Sequence, residues 1–158
     1  MPVGEPATPP RGADEDRAYG APVTADTDDT AAFAATLRAD QAAVLDEVHR
    51  TIAAVAPALL PPVRDGAVLG YGPYHYRYAS GREGDAHLIT VRGGSRHLSV
   101  YVTATDGDVY VPEVHASALG KVSVGRSCIR VRRAGELDLA VFGEVVLRAV
   151  ELGGAGAV

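Results

Sequence analysis

The spacing of apolar residues divides the chain into a polar tail, two helical stretches, a run of short alternating segments and a last helix. Residues 1–28 mix Pro, Gly, Ala, Thr and Asp with scarcely any large apolar side chain. Such a segment buries too little surface to offset the entropy of ordering, so a disordered acidic tail is expected there. From Asp29 or Thr30, either one suited to an N-cap, a short helix is expected over Ala31–Leu37. A second follows over Asp40–Val55, where Val44, Leu45, Val48, Ile52 and Val55 recur at helical spacing and make one apolar stripe. His49 stands beside that stripe as a helix-edge residue, and Pro57, Pro61 and Pro62 end the helix.

Short β-type runs come next, at Val68–Tyr71, Tyr74–Ala79, His87–Arg92, His97–Thr103 and Ser127–Arg133. Turns are expected at Ser80–Asp85, Gly93–Ser95 and Asp106–Asp108. A short helix is expected over Pro112–Leu119, ended by Gly120. Glu136–Leu152 then carries Leu137, Val141, Val145, Leu147 and Val150 near helical spacing, with Gly153 and Gly154 beyond. The order predicts an α+β domain over 29–153: a mainly antiparallel sheet of about five strands, its helices packed on one face, and a flexible end at 154–158.

A sheet covered on one side leaves the other face open, and strand alternation says which residues occupy it. Leu98, Val100 and Val102 are core, which puts His97, Ser99, Tyr101 and Thr103 opposite. Ile129 and Val131 are core, which puts Cys128, Arg130 and Arg132 opposite. Tyr74, Tyr76 and Tyr78 form the more apolar set of their run and are expected to face the helices, with His75 and Arg77 opposite. The run His87-Leu88-Ile89-Thr90-Val91 has no clear parity. The open face so derived is polar and locally basic, and suits an anionic small ligand or a protein partner.

Charge sharpens this picture. The 158 residues carry a net charge of −5, but residues 1–30 hold seven acids and two bases, so the body is neutral with thirteen of each. No global basic field favours nucleic acid. No apolar run approaches the ~18 residues of a membrane span, and the N-terminus lacks the pattern of a secretory signal. One cysteine, Cys128, allows no internal disulfide, which fits a cytoplasmic location. Monomer and dimer are both left open.

Three motifs bear on chemistry. Gly120-Lys121-Val-Ser-Val-Gly-Arg126-Ser127 approximates the phosphate-loop pattern GxxxxGK[ST], with Arg126 in place of the Lys. The residues after it alternate like a strand, whereas that motif needs a helix there, so nucleotide hydrolysis is not expected. The loop retains the capacity to bind an anion through backbone N–H groups, Lys121 and Arg126. Cys128, between Arg126 and Arg130, has cations near enough to favour a thiolate, and a thiol-dependent enzyme would need His75 or His97 beside it. His75, His87, His97 and His115 lack the spacing of strong metal motifs, so the residues predict no cofactor.

Residues 70–84 (Gly-Tyr-Gly-Pro-Tyr-His-Tyr-Arg-Tyr-Ala-Ser-Gly-Arg-Glu-Gly) and 119–129 (Leu-Gly-Lys-Val-Ser-Val-Gly-Arg-Ser-Cys-Ile) together resemble the YdhG-like family, also described as domain of unknown function 1801. The resemblance covers roughly 30–152 and implies a helix-flanked antiparallel sheet. Arg126 departs from the family's commoner Gly-Lys-Ser-Cys form. Some relatives are described as frataxin-like intracellular iron chaperones, which makes iron a candidate ligand by resemblance alone. That role wants an acidic ridge, and the helical region here offers Asp40, Asp46 and Glu47. The residues singled out for ligand binding are thus His75, Arg77, His97, Tyr101, Lys121, Arg126, Ser127, Cys128 and Arg130.

Overall fold

A computed structural model of the chain describes residues 26–158. Most of the expected disordered tail, 1–28, lies outside the described residues. Two helices come first, α1 (Asp26–Ala34) and α2 (Ala39–Val55). The strands β1 (Val63–Asp65), β2 (Val68–Arg77), β3 (Glu83–Gly93) and β4 (Leu98–Val102) follow. A small hairpin, β5 (Thr105–Asp106) and β6 (Val109–Tyr110), leads into α3 (Val111–Val114). The hairpin β7 (Ser123–Gly125) and β8 (Cys128–Val131) precedes the last helix, α4 (Leu139–Leu152). The main sheet is antiparallel throughout, in the order β1-β2-β3-β4-β8-β7, and the fold is α+β with helices at both ends of the chain.

Of the two stripes read from the sequence, that of α2 builds the core, whereas that of the last helix is corrected. Leu137 and Val145 are buried, but Leu147 and Val150 are exposed, and α4 turns Phe142, Val145, Val146 and Ala149 inward instead. Val44, Leu45, Val48 and Ile52 of α2 and Phe142, Val145, Val146 and Ala149 of α4 meet Leu69, Tyr71, Ile89, Val91, Leu98, Val100, Val102, Ile129 and Val131 of the sheet. Asp138 caps α4, its carboxylate accepting from the Val141 N–H. His49 is more than a helix-edge residue, because its Nδ1 lies 2.8 Å from the hydroxyl of fully buried Tyr71. That contact gives the phenol a partner inside the core, where burial holds its pKa above the usual value.

Several expectations are corrected. α1 begins before Asp29 and ends at Ala34, and Asp29 does not cap it: its carboxylate accepts the backbone N–H of Arg64 and so ties α1 to β1. The runs at Val68–Tyr71 and Tyr74–Ala79 are one strand, β2, which passes through Gly72 and Pro73. Gly72 has φ 67°, and opposite it Leu88 and Ile89, neighbours in sequence, both belong to the main core. Alternation breaks at that point, which is why β3 shows no clear parity in the sequence.

The end of the chain differs most. In place of a flexible segment, 154–158 is hydrogen-bonded along the outer edge of β2, with Arg77 N–H to Gly156 O at 2.8 Å and Val158 N–H to His75 O at 3.1 Å. Tyr74, Tyr76 and Tyr78 lie outside the helix-packed core and form a second cluster with this segment. The Tyr74 hydroxyl is within hydrogen-bond distance of Thr103 Oγ1 and Ala155 O, at 3.2 and 3.3 Å. A Cβ on Gly154 would lie 2.1 Å from the Tyr74 ring, and one on Gly156 2.7 Å from that of Tyr78. Glycines admit the rings, and the segment covers an edge that would otherwise offer unpaired backbone groups to another chain.

Candidate functional site

The register assembles the open face in rows. One row runs Gly70, Thr90, Tyr101, Cys128, Gly125, each residue paired with the next across neighbouring strands. The row beside it runs Val68, Arg92, Ser99, Arg130, Ser123. Their sequence neighbours Leu69, Ile89, Val91, Val100 and Ile129 are in the helix-packed core, so both rows point away from the helices. Strands lie ~4.8 Å apart, which sets the Arg92 and Arg130 backbones about 10 Å from each other with Ser99 between them. Among the described residues, neither guanidinium makes an ion pair or a hydrogen bond. Arg130 lies over Gly125, where a Cβ would stand 3.1 Å from its Nη1. Ser99, 7% exposed, forms the floor between the two arginines.

Of the residues singled out from the sequence, Tyr101, Cys128 and Arg130 come together in these rows. His97 shares their parity two residues before Ser99 and borders the site, its carbonyl accepting from the Gly94 N–H and, at 3.3 Å, from Gln41 Nε2. Lys121 is exposed two residues before Ser123, with its N–H bonded to Glu136 O. Arg92 is the site residue that strand parity did not find, although Ile89-Thr90-Val91-Arg92 alternates cleanly once Leu88 is set aside.

His75 and Arg77 do not belong to the site. They lie at the far end of β2, directly opposite Asp85 and Glu83. His75 Nδ1 is 2.9 Å from Asp85 Oδ1, and Arg77 Nε is 2.7 Å from Glu83 Oε2. The Arg77 hydrogen bond holds the Glu83 carboxyl below the usual carboxylate range. Arg77 and His75 are thereby engaged by acids on the strand that lacks a clear parity. Arg132 likewise pairs with Glu136, at 3.7 Å.

The 120–127 loop is a β-hairpin and not a phosphate cradle. Arg126 and Ser127 form its two-residue turn, with Gly125 paired to Cys128. Arg126 has φ 53°, a conformation that costs an L-residue about 1–2 kcal/mol. Its guanidinium sits 5.8 Å from the centre of the Tyr110 ring, turned toward α3 and away from the arginine row. Ser127 contributes its carbonyl to the Val102 N–H.

Cys128 is 5% exposed and neighbours Tyr101. His97 is four residues from Tyr101 along β4, about 13 Å at strand rise, and His75 is held by acids at the far end of β2. The register therefore places neither His75 nor His97, the two histidines weighed as its base, beside the thiol.

The acids on which an iron role would depend are also engaged. Asp40 is bonded to Arg38 and Asp46 to Arg50, both at 3.1 Å, and Glu47 accepts the Gly135 N–H. Among the described residues no group of three or more His, Cys, Asp or Glu is arranged to hold a metal ion. His87, whose ring covers Gly70 on the open face, is 5% exposed, and burial lowers its pKa to about 4.

No family model matches the chain, and no curated protein or solved structure does. The YdhG-like resemblance rests on the two motif stretches alone. Among the described residues no helix is long and apolar enough to cross a membrane.

Proposed function

We propose that this domain is a non-catalytic binding module, of YdhG-like type by its two motifs, that takes a small anionic ligand on the open sheet face. The observation that carries the reading is the Arg92–Ser99–Arg130 row, two guanidiniums without acid partners flanking a serine on neighbouring antiparallel strands. The Arg130 guanidinium rests over Gly125 on β7 and swings back across β8 to join that of Arg92 on an anion above Ser99. There bidentate hydrogen bonding selects carboxylate or phosphate oxygens. Tyr101 adds a hydroxyl and a ring edge from the adjacent row, and Lys121 adds positive charge at the rim. Cys128 serves as packing beneath them.

Pyrophosphate is a suitable probe. The melting temperature of the wild-type chain is expected to rise with pyrophosphate by mass action. In the Arg92→Gln/Arg130→Gln variant the rise disappears, while in Arg77→Gln it persists. Equal shifts in wild type and the double variant would remove the arginine row as the site.

A further inference from the structure

A second surface lies on the helix side, away from the arginine row. A groove of about 410 Å³ runs along α4, walled by α3 and by the β5–β6 hairpin. The described residues include six exposed large apolar side chains, and five of them, Val109, Val114, Leu147, Val150 and Leu152, stand on the elements that form this groove. On α4, Glu144, Leu147 and Glu151 fall at i, i+3 and i+7, an acid–leucine–acid line along the exposed side.

The charges decide what fits. Asp106, Glu144 and Glu151 line the groove against one arginine, Arg148. That arginine is already bridged to Asp106 and to Glu151, both at 3.1 Å. The Glu144 carboxylate makes no ion pair or hydrogen bond among the described residues, nor do those of Asp108 and Glu113 on the flanking elements. The surface is thus apolar along its floor, with the unpaired Glu144 carboxylate at its rim and those of Asp108 and Glu113 on the elements beside it. A second copy of this chain seated groove to groove would set like charges against one another. The segment before α1 carries the same negative sign, with Asp14, Glu15 and Asp16.

We infer that this groove docks a cationic amphipathic helix of a partner protein. The partner's apolar residues at i, i+3 or i+4 and i+7 lie against Val114 and Leu147, and its Lys or Arg side chains reach Glu144 and Glu151. The Glu144–Glu151 line is about 10 Å long, two helical turns, so the contact suits a short segment held with modest affinity.

A fluorescein-labelled 14-residue Leu/Lys amphipathic helix, with its Leu/Glu counterpart as control, tests this by anisotropy on the full chain. The Leu/Lys peptide is expected to bind and the Leu/Glu peptide not to. Leu147→Asp and Glu144→Lys should each weaken binding about tenfold, as loss of a central contact does, while Arg92→Gln/Arg130→Gln leaves it unchanged. Circular dichroism of each variant checks folding, and both positions are exposed enough to accept the change. Failure of the Leu/Lys peptide to bind, or equal binding of the two peptides, overturns the proposal. So does loss of binding in Leu147→Asp but not in Glu144→Lys, since the charge argument then fails. Sedimentation showing a wild-type dimer that Leu147→Asp converts to monomer assigns the groove to a second copy instead.

Discussion

Acid should unfold this protein in a way that traces to His87. Its ring lies against Gly70, is 5% exposed, and has its pKa lowered from 6.5 to about 4 because burial disfavours the charged form. The unfolded chain binds a proton near pH 6.5 and the folded one only near pH 4. Between those values the unfolded state holds more protons, so stability rises with pH across the window. The contribution is complete above pH 6.5 and is lost as pH falls toward 4. One proton taken up on unfolding changes stability by about 1.4 kcal/mol for each pH unit crossed, so the loss is about 3 kcal/mol. That is a large fraction of the ~5–15 kcal/mol that holds a domain together. Urea unfolding of wild type and His87→Gln at pH 7, 6, 5 and 4 measures it. Glutamine is neutral throughout, so the wild-type minus variant difference should fall by about 3 kcal/mol from pH 7 to pH 4. A difference that stays constant with pH would refute the reasoning, because His87 would then titrate alike in both states.

Other consequences follow from the same geometry. Gly70→Ala should destabilise the fold by at least about 1–3 kcal/mol in urea, since the new methyl would meet the His87 ring 2.3 Å away. Gly154→Ala should cost a similar ~1–3 kcal/mol by displacing Tyr74, and removing 154–158 should speed hydrogen exchange at the Arg77 amide, which donates to Gly156. Arg126→Asn should leave stability unchanged or raise it, to within about 1 kcal/mol, because asparagine tolerates positive φ better, whereas Arg126→Val should lower it by more than about 1 kcal/mol.

Helix α2 and the central strands are legible in the sequence because their apolar spacing is unbroken. Val44 to Ile52 need only one buried face, and Leu98, Val100 and Val102 alternate without interruption. Helix α4 carries apolar residues on more than one side, so its buried face of Phe142, Val145, Val146 and Ala149 is not the line of Val141, Leu147 and Val150 that the spacing suggests. What is not legible has a local cause. Gly72 takes a positive φ opposite Leu88, so two successive residues of β3 enter the core and its parity cannot be read. That one break hides Arg92 of the arginine row, while Glu83 and Asp85, which pair with Arg77 and His75, are hidden because Ser80–Asp85 reads as a turn although β3 begins at Glu83. The stretch Gly153-Gly-Ala-Gly-Ala-Val158 has no apolar pattern of its own, because its hydrogen-bond partners lie far away, on β2 and at Thr103. Arg126, close in sequence to Lys121 and Arg130, suggests an anion loop, but the orientation of its side chain over Tyr110 depends on the hairpin.

The central claim is that the arginine row, and no other cluster of cations, receives the anion. Titration of isotope-labelled protein with pyrophosphate, followed by amide and arginine Nε–Hε resonances, tests it directly. Shifts concentrated at Thr90, Arg92, Ser99, Tyr101 and Arg130, with His75 and Arg77 unmoved, are the predicted result. Shifts centred on Arg77, or spread evenly over every exposed arginine, would contradict it.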